Sequence, residues 1–130
     1  MTLKIRRLVL PLAFAFVGFL PSCGYDFVVP EKLPEIDPEE PISFATQIEP
    51  IFAKNNQCTA CHKTGATSPN LSAGNAFASI VPSLVNTTEP ESSKIYQYPH
   101  PSTATHSWKK YELSDAALIL EWIKQGAKNN

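Results

Sequence analysis

Five residues near the middle of the chain, Cys58-Thr59-Ala60-Cys61-His62, restrict what it can become more than any other feature. On a helical turn, side chains three positions apart share a face. Both thiols therefore point the same way, and an imidazole follows at once. That arrangement suits covalent attachment of a haem, with Cys58 and Cys61 reaching the two vinyl groups along one edge of the ring and His62 projecting beneath it to bind iron. Two other chemistries use a Cys-x-x-Cys pair. A thioredoxin-like redox pair follows a strand in a βαβ unit, and no strand-like alternation of useful length occurs here. A zinc site would have to draw its remaining ligands from His62, His100 and His106, without a second Cys pair.

The beginning of the sequence argues for export. Lys4, Arg6 and Arg7 precede an apolar run from Leu8 to Leu20 that contains Pro11. The run is shorter than the roughly 20 residues a membrane-spanning helix needs, so a cleaved signal is expected rather than a permanent span. It ends in Leu20-Pro21-Ser22-Cys23, which resembles the lipobox of bacterial lipoproteins. The resemblance implies a signal peptide over residues 1–22 and a lipid on Cys23, holding the protein on a membrane that faces the periplasm or the cell surface. Export suits the haem reading, because covalent haem attachment in bacteria is completed outside the inner membrane. The three cysteines are then all used, and none remains for a disulfide.

Charge separates an arm from a body. Residues 24–41 hold six acids against Lys32, while residues 42–130 hold six acids against seven lysines. With a net charge of −1 and no clustered Lys and Arg, nucleic acid is not an expected partner. Prolines recur through residues 23–41 and remove backbone donors, so an extended, disordered tether is expected there. The body, residues 42–130, has the length of one small domain, and its near-neutrality predicts weakly salt-dependent docking to partners.

Within the body the apolar spacing is helical. Ser43 caps a helix bearing Phe44, Ile48, Ile51 and Phe52, with Pro50 bending or restarting it. Gly74 to Ile80 reads as a short helix that ends near Pro82. Residues 83–112 have no long periodicity beyond one helical turn at Pro90 to Tyr96, and a loop of that length implies a task. A last helix, capped by Ser114 and carrying Leu118 and Trp122 on its apolar stripe, stops at Gly126. The expected fold class is all-α.

The segments Ile48-Glu49-Pro50-Ile51-Phe52, Ser68-Pro69-Asn70-Leu71 and Leu113-Ser114 through Trp122-Ile123 to Gly126-Ala127, placed around the Cys58–His62 motif, resemble the small bacterial c-type cytochrome domain. The resemblance implies a cytochrome c-like helical domain around one haem c, acting as an electron carrier between redox partner proteins and not as an enzyme. It implies that the Pro69 carbonyl accepts a hydrogen bond from His62 Nδ1, that Leu71 packs on the haem edge, and that the terminal helices cross, with Ile48 or Phe52 against Leu118 or Trp122. One element of the family pattern is missing. Its distal Met often precedes the last helix, and the only Met here is Met1. His106, eight residues before Ser114, is the first candidate for the second iron ligand, His100 the second, and a Lys or an open position the third. Tyr96, Tyr98, Trp108 and Tyr111 are expected to wall the same pocket. Two His ligands leave iron no vacancy and predict outer-sphere electron transfer at a comparatively low potential. An open or labile distal site would instead suit a haem-based sensor or gas-binding module, or a peroxidase, for which no distal acid or base stands out.

Overall fold

Ser43 opens the first helical element as expected: its Oγ accepts a hydrogen bond from Thr46 N, one of the donors a helix start leaves without an internal partner. Pro50 cannot donate to the carbonyl four residues back. The chain passes it with a wide π-helical turn, Phe44–Ile48, and enters α1, Glu49–Ala53, with the proline in the first turn, where a missing N–H costs nothing. A 3-10 turn, Lys54–Asn56, leads into the cysteine motif. In this computed structural model residues 33–106 and 109–130 are described; the expected signal peptide, Cys23, the first part of the tether and Trp108 lie outside them.

The remaining helices are α2, Ala76–Leu84; α3, Lys94–Gln97, preceded by a 3-10 turn at Pro90–Ser92; and α4, Leu113–Lys124. The described residues contain no strand, so the domain is all-α. None of their helices is long and apolar enough to cross a membrane. Three boundaries differ from expectation, the first being the start of α2 at Ala76 rather than Gly74. α2 runs on past Pro82 to Leu84, losing only the bond that proline cannot donate. α4 starts at Leu113, capped by the extended backbone of Glu112 rather than by Ser114. Lys54 fastens this helix start to the end of α1 by pairing with Glu112 and Asp115.

α4 stops where Gly126 turns left-handed, at φ 95°. Its N–H donates to Ile123 O and that of Ala127 to Trp122 O, the paired bonds that satisfy the last carbonyls of a helix. Asn130 then returns to the first helical turn, accepting from Ala45 N and Ser43 Oγ through its carbonyl and from Phe44 N through its side chain.

The core forms where the π-turn and α1 meet α4. Ile48, Phe52, Ile80, Ile119, Trp122 and Ile123 are fully or almost fully buried, and Leu118 packs at the edge. Phe44, Phe77 and Trp122 join the π-turn, α2 and α4 through ring contacts of 5.2 Å, 5.3 Å and 6.4 Å. The body also begins earlier than residue 42. Ile36 packs against the core, and the Gln125 side chain donates to Pro38 O and Glu40 O while accepting from Ile42 N. Prolines remove donors but leave carbonyls to satisfy, and one glutamine amide satisfies two of them.

Candidate functional site

The motif makes one helical turn, as its spacing requires: Cys58 O accepts from both Cys61 N and His62 N, at 3.2 Å and 2.9 Å. Phe52 O accepts from Cys58 N and Thr59 N, which hangs this turn from the end of α1. Beyond it the chain folds back, Thr67 N donating to Cys61 O and Leu71 N to His62 O. Asn70 N, donating to Ser79 Oγ at 2.8 Å, ties the return to α2.

Cys58, Cys61 and His62 line a cavity of about 370 Å³, within the usual range of cofactor sites. Pro69 and Leu71 also line it, as do Leu84, Ile95, Tyr98, Pro99 and Tyr111, so its walls are largely apolar. The charged side chains on the lining are Lys94 and Lys109. Cys58 is buried and Cys61 exposed. Burial pushes the Cys58 thiol up to about 11, with the Lys109 ammonium acting against it, and burial likewise holds the Tyr111 hydroxyl well above the ordinary phenol range. A thiol held neutral is a poor partner for disulfide exchange. Among the described residues no three His, Cys, Asp or Glu side chains converge as a zinc site needs.

His106 lies on the same lining as His62, with ring centres 6.3 Å apart and planes inclined at 43°. A metal–imidazole bond of about 2 Å on each side, with each ring centre about 1 Å behind its nitrogen, sets the centres about 6 Å apart. The 6.3 Å between the two ring centres is of that size, and Cys58 and Cys61 line the same cavity. The His62 Nδ1 is buried and has no hydrogen-bond partner, a state that native proteins rarely leave uncompensated.

Comparison with protein-family models, with curated proteins and with solved structures finds no match.

The remaining expected residues fall in different places. His100 is absent from the cavity lining; Ser102 N donates to its Nδ1, the Ser102 hydroxyl lies 2.8 Å from the same atom, and its ring packs edge-on against Tyr96 at 5.0 Å. Tyr98 and Tyr111 wall the cavity, whereas Tyr96 does not. The expected bond from His62 Nδ1 to the Pro69 carbonyl is not made. The returning chain instead aims its N–H groups at the main-chain carbonyls of Cys61 and His62, and Pro69 reaches the lining without accepting from the imidazole.

Gln57 went unremarked in the sequence. It lines the cavity, and its Nε2 donates to Lys110 O, bridging the motif to the segment that follows His106. Its place next to Cys58 was the available signal. Lys94, Ile95 and Lys109 offered none, since exposed lysines and single apolar residues in a loop look alike whether or not they face a cavity.

Proposed function

We propose that this chain is a monohaem c-type cytochrome that carries single electrons, with Cys58 and Cys61 holding haem c and His62 and His106 as the imidazoles that would hold its iron. The observation that carries the reading is the 6.3 Å approach of the two imidazoles across a cavity bordered by both cysteines. When bound, the haem supplies a one-electron iron couple. Attachment adds each thiol's sulfur and hydrogen across a vinyl double bond, which needs no oxidant.

Each part of the chain has a task in this scheme. The helical turn at Cys58–His62 keeps both sulfurs and the proximal imidazole on one side. His106 would be the second imidazole to hold the iron and would keep oxygen and peroxide from it, leaving the group to supply outer-sphere electron transfer. Leu71, Leu84, Ile95 and Tyr111 exclude water, and Lys94 and Lys109 suit the carboxylates such a ring carries. Two imidazoles lack the thioether that raises cytochrome potentials, so a comparatively low potential is expected. The same proposal includes export, a lipid on Cys23 and redox proteins as partners. It favours two firm ligands over a sensor or gas-binding haem, because the His106 ring centre lies 6.3 Å from that of His62 on the same cavity lining.

The test is the full chain expressed with a cytochrome c maturation system. The expected result is haem that stays with the denatured protein, low-spin bands in both oxidation states, and a ferrous spectrum that carbon monoxide barely changes. His106→Ala should open the iron to carbon monoxide, and His100→Ala should not. Absence of covalent haem would overturn the proposal, and a wild-type ferrous spectrum that shifts promptly would remove the bis-His assignment.

A further inference from the structure

His106 lies in a stretch without helix, yet that stretch is fastened from several directions. The Lys110 ammonium donates to Thr103 O and, at 3.5 Å, to Pro101 O, so its side chain ties residue 110 back to residues 101 and 103 with His106 between. Among the described residues no carboxylate pairs with this ammonium. Thr103 Oγ1 lies 3.0 Å, 3.2 Å and 3.0 Å from the carbonyls of Gln97, Tyr98 and His100, which anchors the stretch to the end of α3. Thr105 Oγ1 adds a bond to Tyr98 O at 2.9 Å. Farther along, Tyr111 N donates to Pro99 O, and Gln57 holds Lys110 O.

We infer that Lys110 and Thr103 are positioning residues for the distal ligand: Thr103 ties the chain before His106 to the end of α3, Lys110 bonds back to residues 101 and 103, and together they hold the imidazole at the site. The inference rests on the bis-His reading above. Hydrogen bonds from a charged donor are the stronger kind, and these carbonyls are partly withdrawn from water. Neutralising Lys110 should therefore let His106 leave the iron more often while the proximal side stays as it was.

The experiment uses the full chain with covalent haem and reads carbon monoxide binding to the ferrous form together with ferric spin state. Lys110→Met should bind carbon monoxide at least about tenfold faster than wild type, the scale of losing one charge-assisted bond, and show a high-spin fraction. Lys110→Arg should behave as wild type. Helix content by circular dichroism should be unchanged in both. Unaltered binding in Lys110→Met, with His106→Ala binding freely, would overturn this inference and leave the ligand assignment standing. If His106→Ala itself matches wild type, the ligand assignment fails instead, and this inference with it. Should Lys110→Met not fold, Thr103→Val against Thr103→Ser decides the matter: faster binding only where the hydroxyl is gone supports the inference, and equal binding in the two overturns it.

Discussion

His62 ends a helical turn hung from Phe52, which belongs to the same core as Ile48 and Ile119, side chains that water does not reach. His106, on the same cavity lining, belongs to a stretch whose shape comes from hydroxyls and an ammonium bonded to backbone carbonyls. The proximal side is held by apolar burial, which is non-directional and sums over many contacts. The distal side is held by a few directional bonds, each with a small net value but a larger cost when one partner is removed. The same contrast extends along residues 86–93, where Ser93 is buried and accepts from Asn86 N at 2.8 Å, while Asn86 Oδ1 accepts from Thr88 N and Glu89 N. The lesson is one of tolerance: the proximal half should give way only to large deletions, the distal half to the loss of one polar atom.

The largest effect expected from the comparison is on the apolar side. Trp122 is almost fully buried and meets Phe44 and Phe77 by its rings, and its Nε1 donates to Lys128 O at 2.9 Å. Trp122→Ala should cost about 3–5 kcal/mol in stability, the range for deleting a buried aromatic, read as a shift of the urea midpoint. A cost near that of a surface substitution would show that the terminal helices are not held by this cluster.

These two halves were unequally legible in the sequence. Phe44, Ile48, Ile51 and Phe52, and later Leu118 and Trp122, repeat at helical spacing, and that period survives in the structure as the packed pair of terminal elements. The cysteine motif, the Ser43 cap and the Gly126 stop were readable for the same reason, since each is local chemistry with a fixed offset. The Pro69 contact and the start of α4 at Leu113 were not, because each depends on bonds to distant chain: the return onto Cys61 and His62, and the Lys54 pairings. Nor does periodicity distinguish His106 from His100. Thr103, Thr105 and Lys110 do that by folding one of the two over the cavity, and threonines and lysines in a loop announce nothing by themselves.

A polar deletion in the long loop should be intermediate. Ser93→Ala removes the oxygen that receives Asn86 N and packs within 3.3 Å of Asn86 O, in a position almost without exposure. The substitution leaves no cavity of consequence, so its cost should come from the stranded backbone donor, about 1–3 kcal/mol. Urea unfolding compares it with Trp122→Ala. If Ser93→Ala is silent, the long loop is not held as its hydrogen bonds indicate and the contrast between the halves collapses.

The smallest expected effect concerns the seam between the halves, where Cys58 and Tyr111 are buried side by side. Both are neutral when protonated, and in both the folded protein holds the proton more tightly than the unfolded chain does. Below pH 9 both states of the protein keep the Cys58 proton, and its full contribution is present. Between pH 9 and about 11 the unfolded chain has released that proton and the folded chain has not, so stability falls as pH rises. At about 1.4 kcal/mol per unit, discounted for solvent screening, the loss from Cys58 is on the order of 1 kcal/mol. A thioether does not titrate. The protein with covalent haem should therefore lose the Cys58 share of this slope and keep the Tyr111 share, whereas the protein without haem should show both. Unfolding midpoints of the two forms at pH 8 and pH 10 measure the difference: parallel declines would mean that Cys58 is not the sulfur at the seam that haem attachment consumes, and a shallower decline in the haem form ties the buried thiol to the attachment chemistry.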